Sequence, residues 1–163
     1  MRRYRGVIIL LIAILLCSCE GTSFQSSVPA YPVRVVINTK TMFTGFTPEN
    51  TNAYITVNEE GYKENGVFKQ PVTVTDAWGY GGIVVYVSLA GYVAFDLACP
   101  YCAAHGLRRA CIMEGINAEC PECGEQYELA GGYAMPQHQK STEALRQMNI
   151  IASDDKLTIT QKQ

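Results

Sequence analysis

Two short cysteine motifs carry the clearest chemistry in the sequence. Cys99-Pro100-Tyr101-Cys102 and Cys120-Pro121-Glu122-Cys123-Gly124 are paired C-P-x-C knuckles separated by residues 103–119. Two cysteines three positions apart in a tight loop present both sulfurs inward, so two such loops bring four soft donors to one point. The prolines stiffen each loop, and Gly124 permits the turn that lets a backbone N–H approach sulfur. Four thiolates suit zinc, a single iron or an iron–sulfur cluster, and ligand type alone does not choose among them. Two other chemistries compete for the same residues. They can pair as disulfides, within or across the knuckles, in an oxidising compartment. Cys-Pro-Tyr-Cys also has the form of a thiol–disulfide exchange loop, which requires an accessible low-pKa thiolate at Cys99.

Other reactive side chains are weaker candidates. Cys111, beside Arg108 and Arg109, reads as a packed or spare thiol rather than a ligand. His105 follows the first knuckle and is a substitute ligand only if Cys102 does not bind; a surface place is the simpler expectation. His138 sits in the polar run Gln137–Lys140 and reads as solvated. Trp78, Tyr80, Tyr86 and Tyr92 lie in or beside strand signals, so they are expected to pack rather than form a ligand platform. No Ser/His/Asp set, phosphate loop or pair of catalytic carboxylates is evident, and no small-molecule substrate is indicated.

The elements that position the knuckles follow from the rest of the chain. Hydrophobic residues make up 48% of the 163 and charged residues 17%, which excludes a solvated disordered chain. The formal charge of −2 excludes a broad nucleic-acid-binding surface. Short apolar runs punctuated by Gly, Pro, Asn and Asp predict strands at 33–38, 53–58, 72–77, 83–88, 92–97, 116–119, 126–129 and 156–160. The glycines of Gly79-Tyr80-Gly81-Gly82 predict a sharp turn into Ile83–Ser88, the most hydrophobic strand. One helix is predicted, over 141–149, with Ser141 or Thr142 as cap and Glu143 in the first turn. The sum is a mainly β, mainly antiparallel domain.

The N-terminus reads as an export signal. Arg2, Arg3 and Arg5 precede an unbroken apolar run from Val7 to Leu16, too short for the roughly 20 residues that cross a bilayer. Then comes Leu16-Cys17-Ser18-Cys19, which resembles the lipobox of bacterial lipoproteins. The resemblance implies cleavage after Ser18, lipid on Cys19, a lipid-anchored tether over 19–32 and a folded domain over 33–163. It places the protein in the bacterial cell envelope, facing the periplasm or the surface. A plain secretory signal and a short N-terminal anchor are the alternatives.

The second half of the chain resembles a known family. The run Val84-Val85-Tyr86 with Tyr92-Val93-Ala94-Phe95-Asp96-Leu97-Ala98-Cys99-Pro100 is similar to the strand and first cluster loop of Rieske-type iron–sulfur domains. Cys120-Pro121-Glu122-Cys123-Gly124-Glu125-Gln126-Tyr127-Glu128-Leu129-Ala130-Gly131-Gly132 is similar to their second loop, and Leu145 with Ile150-Ile151 and Lys156–Thr160 to their final hairpin. The resemblance implies an antiparallel β-sandwich carrying a rubredoxin-like metal-binding subdomain, with its metal loops over 97–125. It departs from the family where the histidines should be: Tyr101 stands at the first histidine position with Cys102 one residue later, and Cys123 replaces the second. The implied centre therefore has four thiolate ligands, Cys99, Cys102, Cys120 and Cys123, and holds a 2Fe-2S cluster or zinc. With a cluster, the potential should fall toward roughly −400 mV, and no imidazole remains to couple a proton to the electron. Two functions follow as expectations: an electron carrier serving a redox partner protein, or a structural zinc-binding interaction module. Thiol–disulfide exchange is the third.

Overall fold

The computed structural model describes residues 26–162. Cys17, Cys19 and the export signal lie outside the described residues. Among those described, no helix is long and apolar enough to cross a membrane.

Alternating apolar residues at the start of the domain build β1 (Val33–Asn38), whose Val33, Val35 and Ile37 point inward while the residues between them are exposed. It pairs antiparallel with β13 (Lys156–Thr160) and, at its start, with β5 (Ala77–Trp78). β12 (Asn149–Ala152) extends this sheet beyond β13. The second sheet has the order β4-β3-β2-β6-β7, built from β2 (Tyr54–Asn58), β3 (Gly61–Glu64), β4 (Val67–Gln70), β6 (Ile83–Ser88) and β7 (Gly91–Asp96). The two sheets close on a shared core that includes Val35, Ile37, Phe43, Phe46, Ile55 and Val57. A third sheet, β11-β10-β9-β8, is made of β8 (Ile112–Glu114), β9 (Asn117–Glu119), β10 (Gln126–Glu128) and β11 (Met135–Pro136). Together with one short helix, α1 (Pro100–Ala104), it forms a separate layer.

β6 joins the layers. All six of its residues are buried. Ile83, Val85 and Val87 face the sandwich core, whereas Val84 and Tyr86 face a second core that contains Cys99, Cys102, Cys111 and Cys120. A strand buried on both faces reads as a continuous apolar run, which is what Ile83–Val87 is.

The mainly β, antiparallel reading holds, and two elements need correction. The predicted helix over 141–149 is absent: the segment is extended and ends in β12. Its polar groups are taken elsewhere. The Arg146 carbonyl accepts the Asp96 N–H at 2.9 Å, Met148 N–H donates to the Ala94 carbonyl at 2.8 Å, and Leu145 N–H donates to the Ala134 carbonyl at 3.1 Å. Pairing with β7 thus outcompetes the i→i−4 ladder, and Ser141 hydrogen-bonds locally with Glu143 instead of capping a helix. The predicted strand over 72–77 shrinks to Ala77–Trp78, because the Asp76 carboxylate accepts the Thr73 N–H at 2.7 Å and folds 73–76 into a turn. The described end of the expected tether, 26–32, is docked on the domain. Val28 is fully buried, Ser27 N–H donates to the Glu143 carboxylate at 2.8 Å, and Arg146 donates to the Val28 carbonyl at 2.8 Å.

Candidate metal centre

The first knuckle opens where β7 ends. Asp96, almost fully buried, turns its carboxylate onto the N–H groups of Tyr80 (2.7 Å), Gly81 (2.8 Å) and Ala98 (2.8 Å). This ties the glycine turn to the approach of Cys99. The turn needs glycine for space: a Cβ on Gly81 would lie 2.2 Å from the Ala98 nitrogen. Cys99 then begins α1, Pro100 occupies the first helical position, and Ala103 N–H donates to the Cys99 carbonyl at 2.9 Å.

The second knuckle follows β9. Cys120 N–H donates to the Glu125 carbonyl at 2.9 Å and Gly124 N–H to the Cys120 carbonyl at 2.8 Å. Gly124 has φ +68°, the left-handed conformation that closes this turn without a Cβ penalty. Each knuckle aims one backbone N–H at a sulfur, Cys102 N–H at Cys99 and Glu125 N–H at Cys123.

The structure brings the four predicted ligands together. The sulfurs of Cys99, Cys102, Cys120 and Cys123 all lie within 4.8 Å of one another, the first three buried and Cys123 half-buried. The contacts run across the knuckles: Cys99 to Cys123 at 3.7 Å and Cys102 to Cys120 at 3.6 Å. Cys99 is the preferred thiolate. The Cys111 thiol donates to it and outweighs burial, with help from Cys102 N–H and the Tyr127 hydroxyl, and its pKa falls to about 4. Burial chiefly pushes Cys102 up, and pushes Cys123 up to about 11. A bound cation would remove those protons, since a coordinating thiol is deprotonated outright.

Cys111 is the fifth thiol, outside the four-sulfur group and packed behind it. It is buried, its N–H donates to the Leu97 carbonyl at 2.7 Å, and it shares the knuckle core with Cys99. This matches the reading as a packed thiol. His105 is exposed and outside the four-sulfur group, its Nδ1 2.7 Å from the Tyr101 carbonyl and its ring 4.4 Å from that of Tyr101. His138 is also exposed, with Nδ1 3.0 Å from the Gly124 carbonyl. Tyr86 is buried and donates to Asn52 Oδ1 at 2.7 Å, Tyr92 is partly buried and donates to the Phe46 carbonyl at 2.8 Å, and Trp78 packs on the sandwich core. Tyr80 lies at the rim under the Arg108 guanidinium.

One residue escaped the sequence reading. Glu125 is fully buried, and its carboxylate accepts four backbone N–H groups: Gln126 (3.1 Å) and His138 (2.7 Å) on Oε1, Lys140 (2.6 Å) and Ser141 (3.1 Å) on Oε2. It clamps the 138–141 loop over the second knuckle, where Lys140 also donates to the Cys123 carbonyl. Burial pushes its pKa up, but the four donors outweigh burial and hold it below 4.5. An acid two positions after Cys123 is the one signal the sequence offered. On the outer side, a cleft of about 420 Å³ lined by Tyr101, His105, Leu107, Glu122 and Lys140 reaches Cys123 and Cys102.

Fold and site together define a mainly β protein with a group of four cysteines that could hold a metal at one end of its sheets. No family model matches the chain, and no curated protein matches it. Among solved structures it is similar to a chain of the complex of reduced oxygenase and oxidized ferredoxin in carbazole 1,9a-dioxygenase. That similarity has a TM-score of 0.42 at 17% identity and covers 70% of this chain and 86% of that one.

Proposed function

We propose that this chain is a Rieske-like, lipid-anchored metalloprotein of the bacterial cell envelope, whose Cys99, Cys102, Cys120 and Cys123 hold a redox-active metal centre that passes single electrons to a partner protein. The observation that carries this reading is the convergence of four sulfurs within 4.8 Å at the end of a rigid β framework. The motifs Phe95–Pro100 and Cys120–Gly132 support the Rieske-like assignment, with four thiolates in place of the family's mixed ligand set. A half-buried Cys123 beside an open cleft supplies an edge through which a docked partner could exchange an electron. Lipid on Cys19 would hold the carrier at the membrane.

The buried state of the other three cysteines favours a second reading, a structural zinc site that pins the two loops of an interaction module. Thiol exchange is disfavoured by geometry, since the low-pKa Cys99 sulfur has no solvent-exposed face.

The test is metal analysis of protein purified with and without oxygen, together with a redox titration followed by visible and EPR spectra. Iron that cycles between two oxidation states supports the carrier. Zinc alone overturns electron transfer and leaves the structural module. Two mass-mapped disulfides and no metal overturn both. Anchoring is tested separately: Cys19→Ala should abolish lipid labelling and membrane retention, and unchanged retention would refute the anchor.

A further inference from the structure

The separations among the four sulfurs carry information about what they can enclose. Four thiolates at about 2.3 Å from a single ion occupy the corners of a tetrahedron with edges of about 3.8 Å. A binuclear cluster imposes a different frame. Its two irons, bridged by two sulfides, stand roughly 2.7 Å apart, so thiolates on opposite irons are roughly 5.5–6.5 Å apart. Four of the six sulfur–sulfur separations in such a cluster are of this long kind. Four cysteines divide into two pairs in three ways, and each way requires those four long separations.

Here every separation is within 4.8 Å. Two of them, Cys99–Cys123 at 3.7 Å and Cys102–Cys120 at 3.6 Å, already have the length of a tetrahedral edge. The 2Fe-2S frame does not fit this arrangement under any pairing. We therefore propose that the centre is mononuclear: one zinc or one iron ion held by all four thiolates, with no inorganic sulfide. This deepens the reading of Cys99, Cys102, Cys120 and Cys123 as one metal centre, in either of the two functions above, and rests on that reading alone.

The surroundings oppose the widening that a cluster would need. Ala98 and Ala110 form a β-bridge at the base of the first knuckle, and Cys99 N–H donates to the Arg109 carbonyl at 2.8 Å. Arg109 in turn pairs with Glu122 of the second knuckle at 2.9 Å, tying the two loops together. Behind the sulfurs the space is filled: Cys111 is buried in the same core as Cys99, and the Tyr127 hydroxyl lies 3.7 Å from the Cys99 sulfur. Moving the knuckles apart by one to two ångströms would break the bridge and the ion pair and open a void in this packed core.

The experiment is metal and acid-labile sulfide quantification on the full chain, with X-ray absorption at the metal edge. The expected result is one metal equivalent per chain, no stoichiometric sulfide, and a sulfur shell of about four atoms at about 2.3 Å with no metal–metal scatterer. Two irons and two sulfides per chain, with a metal–metal shell, would overturn the proposal while leaving the metal-centre reading intact. Disulfides without metal would overturn that underlying reading and the proposal with it. Cobalt titration of demetallated, reduced protein supplies an independent count. Saturation at one equivalent with tetrahedral thiolate bands supports a single-ion site, and a second equivalent bound through the same four thiolates overturns it. Cys111→Ser should leave the count at one; its loss of metal would show that the four-thiolate assignment is wrong.

Discussion

The two cores of this molecule are built on opposite principles, although they share one strand. The sandwich core is enclosed by strands paired over four to six residues, and it contains no cysteine. The knuckle core is covered by strands of two or three residues and contains Cys99, Cys102, Cys111 and Cys120. Strands that short contribute few ladder hydrogen bonds each, so loops make up much of the knuckle layer. The added support is polar: Asp96 gathers three N–H groups at the entrance to the first knuckle, and Glu125 gathers four at the exit from the second. A loop-built site thus gains its shape from buried carboxylates, and is joined through β6 to a body whose core contains none of the knuckle cysteines.

The largest effect that would break this contrast is loss of a ligand. Cys102→Ser removes one of four donors from a site of a kind whose binding contributes about 10–16 kcal/mol. Hydrogen exchange should show lost protection at 112–128 with protection retained in β1 and β13; uniform loss across both layers would show that the body depends on the ion. The converse change lies in the sandwich. Phe46 is fully buried and stacks on Tyr92 at 5.4 Å between centroids. Phe46→Ala should cost about 3–5 kcal/mol in unfolding free energy while leaving metal stoichiometry unchanged. Loss of metal in that variant would mean that the two cores do not separate.

The same contrast explains what was legible in the sequence. Strands 33–38, 83–88 and 156–160 were read from their apolar patterns because burial in the body follows side-chain alternation or continuous apolarity. The convergence of the four cysteines was legible because the C-x-x-C spacing is itself the geometry. The β3–β4 hairpin was missed although Asn65 and Gly66 form its turn, with φ +47° and +81°. Its flanking residues are too polar and exposed to give a strand pattern. β8 and β11 left no pattern because each is only two or three residues long and paired at a sheet edge or end. The failed helix at 141–149 shows the remaining gap: capping residues are local, whereas the partners that won, Ala94, Asp96 and Ala134, are remote in sequence. Glu125 escaped for the same reason, since its three donors at 138, 140 and 141 cannot be paired with it by local inspection.

Glu125 offers an intermediate effect. In Glu125→Gln the side-chain amide NH2, which only donates, must replace either Oε1 or Oε2, and each oxygen accepts two backbone N–H groups. Either orientation leaves two buried donors unpaired against a third. The cost should be about 1–3 kcal/mol, read as faster exchange of the 138–141 amides and faster metal release to a chelator. Unchanged metal release would mean that the clamp serves the loop alone.

The smallest effect is a difference in sign between the two carboxylates. Burial raises Asp96 above 3.8, and its N–H donors and Arg146 offset this only in part, whereas the donors to Glu125 more than offset its burial. A raised acid binds its proton more tightly in the folded state, so the Asp96 contribution to stability grows as pH falls from its raised value toward 3.8. A lowered acid does the reverse. The Glu125 contribution is complete above 4.5 and is lost as pH falls through its folded value. Denaturant unfolding of the wild type, Asp96→Asn and Glu125→Gln between about pH 7 and pH 3 separates the two. The advantage of the wild type over Glu125→Gln should shrink below 4.5, while its standing relative to Asp96→Asn should improve over the approach to 3.8. Parallel curves for the two variants would mean that both carboxylates sense the same environment, and that the two knuckle clamps do not differ in kind.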